Sequence, residues 1–316
     1  MRGPGRTLFG GTRVHPFGRG WKKYVPLFGL LPTLLIFLAV NLGPSLATFV
    51  FSFTDYKGIP GSEWRFIGLQ NYIDFFTASN ARDKWHSTKL TFIFSLSVTV
   101  IQNAIGVFLA VLLNGRIRGK TFYRTVIFMP VVLGVTVVGL TWTLIFNPIY
   151  GPAIKVLNWF NMNSAFFGDP DLAMPLVIFI QIWANLGYSL VIFLAGLQAI
   201  PDDLYEAGYM DGASAMQTFR YVTWPLLSPV VTVNVLLAII GSLQTFELIY
   251  VLTSGENDYT RTLGMLIFQT AFGGGSGNLI QQNQGYASML SVVLFVFVFI
   301  VTVIMQYYLR RREVQT

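Results

Sequence analysis

Side chains able to do chemistry are few in this chain, and their positions limit what that chemistry can be. Among 316 residues there are 14 Asp and Glu, two histidines and no cysteine. Without cysteine there is no disulfide framework, no thiol nucleophile and no thiolate metal site. His15 and His86 lie far apart, so a histidine-centred metal or catalytic site is not expected. What remain are polar side chains inside long apolar runs. Gln181, Asn185 and Tyr188 stand at i, i+4 and i+7 on one helix face; Gln244 and Glu247 stand at i and i+3 on another, with Phe246 and Tyr250 nearby. Sugars need amide or carboxylate partners for their hydroxyls and aromatic rings for their C–H faces, so these residues form a candidate solute path. Amides in apolar helices also tie helices to one another, and for Gln181, Asn185 and Gln244 both readings stand. Glu247 is the sharper signal, because a carboxylate inside a span is expensive and usually faces a cavity or partner. Toward the outer end of its helix, it also has interfacial water within reach. Trp142 and Trp183 are assigned to packing.

One stretch invites a nucleotide-binding reading and fails it. N-G-R-I-R-G-K-T, residues 114–121, places Gly115 one residue too close to Gly119 for a phosphate-cradling loop, and apolar helical runs flank it where a strand is needed. Gly273, Gly274, Gly275 and Gly277 do not make a dinucleotide fingerprint either, since no strand precedes them. A membrane-embedded enzyme is disfavoured because His, Cys and Asp do not cluster inside the apolar runs.

The elements that must position these residues are membrane helices. The chain is 53% hydrophobic and 11% charged, with a mean hydropathy of +0.59, whereas soluble domains carry about 25% charged residues. Six apolar segments, near 26–53, 89–113, 123–147, 173–199, 226–253 and 286–309, each have the ~20 residues a helix needs to cross a bilayer. The expected fold is all-α, a polytopic membrane protein of six transmembrane helices: a tail over 1–25, the helical domain over 26–309 and a second tail over 310–316. No small-residue cleavage pattern follows the first run, so the Arg-rich start reads as a disordered cytoplasmic tail. With both termini inside, fourteen Lys and Arg lie on the cytoplasmic side against seven outside, so the net charge of +7 reports membrane orientation rather than nucleic-acid binding.

Between the fourth and fifth segments lies a polar island, 201–229. It reads as two short helices. The first carries Leu204, Glu206, Ala207 and Met210, with Asp202 or Asp203 as its cap; Asp211-Gly212 makes the turn because Gly accepts the left-handed conformation. The second carries Ala213, Met216, Phe219 and Arg220 until Trp224-Pro225 stops it. Leu204, Ala207 and Met210 form an apolar ridge edged by Asp203 and Glu206, suited to docking on another protein with a basic groove.

This stretch resembles the EAA loop of ABC importer permeases, matched at Glu206, Ala207, Asp211, Gly212, Ala213, Phe219 and Pro225, with Gly208 where the family usually has Ala. Two further runs, F-T-D-Y from Phe53 and F-I-G-L-Q-N-Y from Phe66, look like the carbohydrate-uptake (maltose/glycerol-phosphate) branch. By themselves Gly68 and Asn71 make a turn before a short surface helix. F-E-L-I-Y-V-L-T-S-G from Phe246 is similar to the family's extension into its last external loop, but Ser254, Gly255 and Glu256 replace the common Gly-Gly-Pro.

The resemblance implies a permease subunit without a catalytic site or cofactor of its own. It implies a second homologous permease subunit, two ATPase subunits holding ATP and Mg, an extracytoplasmic solute-binding protein, and a bacterial-type cell membrane. It also implies an oligosaccharide or related polyol as solute, a glycerol-phosphate compound being the variant within the family. An ion-coupled secondary transporter is the alternative, weakened by the lack of matching half-repeats with broken helices.

Overall fold

The computed structural model describes residues 25–59, 61–77, 81–115, 117–254, 257–274 and 282–310. The expected N-terminal tail, nearly all of the C-terminal tail, Arg116, Gly255 and Glu256 and the later part of the Gly-rich run lie outside these. The described residues up to Thr48 and those from Phe49 onward form two separate compact units. Among the described residues the structure is helical, and the only extended pairing is a single antiparallel bridge between Thr54 and Phe66.

The first unit contains helix α1 (Val25–Phe37), a π turn (Leu38–Leu42) and the start of α2 (Gly43–Phe51). The 24-residue run Phe28–Phe51 is apolar enough to span a membrane. Its π turn ends two residues before Pro44, and the Gly43 N–H reaches back to the Leu38 carbonyl. A proline clashes with the carbonyl four residues before it, and the wider π turn makes room.

In the second unit a short lock follows α2. Asn71, at the start of α3 (Gln70–Thr77), is buried and donates to the carbonyls of both Ser52 and Thr54, each at 2.9 Å. The G-L-Q-N-Y run therefore has the local structural role its residues suggest.

Helix α4 (Ala81–Asn114) and helix α8 (Ala173–Gln198) run parallel as the axis of the bundle, with Gln102 beside Ser189 and Leu113 near Leu197 and Ile200. Their crossing is close at Gly106, against Phe193 and Ser189. Between them in sequence come α5 (Lys120–Phe128), a 3₁₀ turn (Met129–Val132), α6 (Val135–Ile145) and α7 (Pro152–Trp159). The third apolar segment is thus bent by 100° rather than straight. Pro130 lies in the 3₁₀ turn, and Leu133 and Gly134 adopt extended backbone, which ends one helix and caps the next.

Contacts show that this bent pair crosses the bundle. Arg124 donates to the Leu113 carbonyl at the end of α4, Ile127 and Phe128 lie against Gly187, Trp142 meets Trp183 and Phe179, and Phe146 meets Phe166 and Phe167. The chain climbs α8 from its last turns to beyond its first. Counted as one span, it brings the helices long and apolar enough to cross a membrane from five to six among the described residues.

After α8 come α9 (Asp202–Met210) and α10 (Ala215–Thr218), then a π turn (Phe219–Thr223) that leads into α11 (Trp224–Gln244). Two findings differ from the sequence expectation. Trp224-Pro225 does not stop the second short helix, because residues Ala215–Gln244 form one 30-residue run. The π turn again ends two residues before a proline, Pro225, as it does before Pro44. Pro229, four residues on, cannot bond the Pro225 carbonyl; the Ser228 hydroxyl does so instead, at 2.7 Å.

The second difference is that the fifth segment breaks at Thr245 and Phe246. Helix α12 (Glu247–Thr253) starts anew beyond the break, and α13 (Leu263–Phe272), absent from the sequence expectation, returns beside it before α14 (Gln284–Arg310). Hydroxyls take over where backbone pairing fails: Thr245 donates to the Gly241 carbonyl at 2.9 Å, and Thr262 approaches the Thr245 carbonyl at 3.4 Å.

Candidate functional site

The polar island folds as a helical hairpin. α9 begins after Pro201, whose side chain offers no cap; Asp202 and Asp203 already lie in the first turn. The expected Asp cap is therefore not made, and these carboxylates act instead on the positive end of the helix dipole. At the other end Gly212 has φ 75°, the Gly212 N–H bonds the Tyr209 carbonyl and the Ala213 N–H bonds the Gly208 carbonyl. This pair of bonds is a Schellman motif, and it is the turn expected at Asp211-Gly212. α10 starts one turn later with a reciprocal cap: Gln217 N–H donates to the Ser214 hydroxyl, and the Gln217 side chain accepts from the Ser214 N–H at 2.8 Å.

The hairpin exposes what a docking element would need. Glu206, Ala207, Asp211 and Gly212 are exposed, Ala213, Phe219 and Pro225 are half-buried, and the ridge ends in Met210 at 88% exposure. Tyr205 and Phe219 turn inward, onto a cluster containing Leu197, Ile200 and Leu227. Beside the hairpin an apolar groove of about 690 Å³ runs between α4 and the α10–α11 run, lined in part by Val107, Phe108, Met216 and Trp224.

The candidate path residues divide into two groups. Gln244 closes α11 and Glu247 opens α12, so they do not share a helix face as the spacing implied; the break at Thr245 separates them. Glu247 is exposed in the first turn of α12, where the helix dipole favours its charge. Phe246 stacks on Phe268 of α13 at 5.3 Å between ring centroids, Tyr250 lies 5.1 Å from the same ring, and Phe268 contacts Phe272 at 5.2 Å. Phe268 and Phe272 escaped the sequence reading, although their i, i+4 spacing in an apolar decapeptide was a signal. A cavity of about 390 Å³ opens there, lined by Gln244, Phe246, Phe268, Phe272 and Ser291 among others.

Gln181, Asn185 and Tyr188 form the second group, on α8. Tyr188 is exposed, and Asn185 donates to the Gln181 carbonyl of its own helix at 3.0 Å. No hydrogen bond or ring contact among the described residues joins this group to the Glu247 group. Trp142 and Trp183 meet edge to face at 5.3 Å, the packing role assigned to them.

The amides that do tie helices together were not singled out from the sequence. Gln102 donates to Ser189 at 2.8 Å, Asn234 donates to Asn103 at 2.8 Å, and Ser95 and Ser242 share a 2.7 Å bond. These bonds link α4 to α8 and α11 through buried positions. Amides inside apolar runs were the available signal.

Comparison with known proteins agrees with this architecture. Residues 102–314 match the family described as "binding-protein-dependent transport system inner membrane component". The chain is 32% identical over 278 residues to the trehalose/maltose transport system permease protein MalF of Thermococcus litoralis, covering 87% of this chain and 90% of that protein. It is 32% identical over 260 residues to the multiple sugar-binding transport system permease protein MsmF of Streptococcus mutans, covering 80% and 84%. A chain from the crystal structure of a bacterial ABC transporter that imports the acidic polysaccharide alginate superimposes with a TM-score of 0.79 at 19% identity, covering 92% of this chain and 97% of that one. At that identity the likeness speaks for the fold.

Proposed function

The chain belongs to the binding-protein-dependent transport system inner membrane component family, and from that premise we propose that it is a membrane subunit of an ATP-driven importer for an oligosaccharide. It is a permease rather than an enzyme. The observation that carries the reading is the capped hairpin 201–225, an exposed acid-edged ridge set between two spans. The named sugar-transport relatives support the solute class.

In this reading two ATPase chains bind MgATP and receive the hairpin, with Glu206, Ala207, Asp211, Gly212 and Ala213 at the contact and Phe219 and Pro225 seating it on the bundle. A second, homologous permease subunit completes the pathway, and an extracytoplasmic binding protein delivers the solute. Both termini and the hairpin face the cytoplasm, as the Lys and Arg distribution favours. Closure of the ATPase pair moves the hairpin, and the bundle alternates its access. The aromatic ladder of Phe246, Tyr250 and Phe268 with Gln244 and Glu247 offers ring faces and hydrogen-bonding groups to a sugar; Gln181, Asn185 and Tyr188 offer a second polar strip.

The test is purification from native membranes. ATPase chains should accompany the protein, and ATP hydrolysis by the assembly, with its receptor present, should rise with an oligosaccharide from a screened panel. A chain that purifies alone and transports without ATP would refute the reading.

A further inference from the structure

The foot of α11 contains a mechanical joint. Tyr205 of α9 and Thr223 of the π turn are joined by a hydrogen bond, the Thr223 hydroxyl donating to the Tyr205 hydroxyl at 3.3 Å. Among the described residues it is the one side-chain hydrogen bond from α9 to another element. Thr223 is buried, and its hydroxyl also lies 3.5 Å from the Thr218 carbonyl, inside the widened turn. Above the joint, α11 is pinned to α4 by Asn234 to Asn103 and by Ser242 to Ser95. At the joint itself, Tyr205 of α9 and Phe219 also pack on a cluster formed by Leu197 and Ile200 with Leu227 of the first turn of α11. Between the pinned amides and α9 lies the π turn, a wider turn of the kind that often sits at functional sites in helices. Pro225 denies the next turn a complete set of α-helical bonds, so the slack stays at this place.

We infer that Tyr205 and Thr223 form a latch through which α9 drags the foot of α11, with the π turn Phe219–Thr223 as the hinge that absorbs the motion below the pinned amides. The inference deepens the reading of 201–225 as the docking element and rests on it. Tyr205 and Thr223 are then positioning residues: they touch no solute, and they carry displacement.

The chain lacks cysteine, so paired spin labels can be placed in the full assembly without background. One pair, Met210→Cys with Tyr221→Cys, bridges the latch; the other, Met216→Cys with Leu237→Cys, spans the hinge, and all four positions are exposed. MgATP with orthovanadate is the probe. In the native background the first distance should hold constant on trapping, while the second shifts by about 2–5 Å, the scale of helix shifts. In Thr223→Val the first distance should change on trapping and the second should stay fixed. ATP hydrolysis should fall about fivefold in Thr223→Val and in Tyr205→Phe, the factor one neutral hydrogen bond supports. The double variant should lose no more than either single one, and Thr223→Ser should behave as the native protein. A hinge distance that stays constant in the native assembly overturns the latch, as does Thr223→Ser matching Thr223→Val. Absence of ATPase chains, or of vanadate trapping, in the native preparation overturns the docking reading as well, which separates the two failures.

Discussion

Gly212 and Gly208 sit four residues apart and should respond to substitution in opposite ways. Gly212 occupies the left-handed position of the Schellman turn with open space around it, so the cost of a side chain there is conformational, about 1–2 kcal/mol. Gly212→Val should therefore reduce the yield of copurifying ATPase chains, and undiminished yield would remove the turn from the docking surface. Gly208 is helical, and a methyl group there meets only the Thr218 hydroxyl at 4.0 Å. Gly208→Ala should raise stability by up to about 1 kcal/mol, read as a higher midpoint of thermal unfolding at unchanged assembly. Glu247 offers a third test at this scale. Glu247→Ala should lower uptake while subunit composition stays constant, because an exposed side chain at a helix start carries little of the packing. Equal uptake would make it an interfacial charge.

At the scale of elements, polar contacts rather than apolar burial decide which helices are neighbours in register. Asn234→Leu leaves the Asn103 oxygen buried without its α11 donor, and membrane hydrogen bonds of this kind are worth about 0.6–2 kcal/mol. The single variant should lower thermal stability in detergent, and adding Asn103→Leu should recover part of the loss, since an apolar pair leaves nothing unpaired. Strictly additive losses would show that the two amides act independently. The α5–α8 crossing depends on the absence of a side chain: a Cβ at Gly187 would stand 2.6 Å from the Ile127 carbonyl. Only backbone fits there, which is why the bent segment can lie directly on α8.

For the whole molecule, the bent pair α5–α6 sets the topology. With it counted as a crossing, the loop after the first span and the hairpin 201–225 lie on opposite faces of the membrane; without it they share a face. Single cysteines at Glu63 and Asp211, both exposed, should react with an impermeant maleimide from opposite sides of sealed vesicles. Labelling of both from one side would reduce the spans to five.

Much of this was set by the sequence. Long apolar runs bounded by charges placed the spans within a few residues except the fifth, expected over 226–253 and found at Ala215–Gln244, because an unpaired backbone in hydrocarbon leaves helices as the only choice. The turn at Gly212 was also legible, since local chemistry alone requires a residue that tolerates positive φ. Three features were decided by tertiary contacts. The polar residues Gln244, Thr245 and Glu247 do not by themselves fix a break; α13 packs beside it and Thr262 serves the Thr245 carbonyl. Pro225 reads locally as a stop, yet the helix continues because a π turn makes room for the ring. The choice between amides that tie helices and amides left free depends on which faces meet, and a single strand of sequence carries periodicity but not partners.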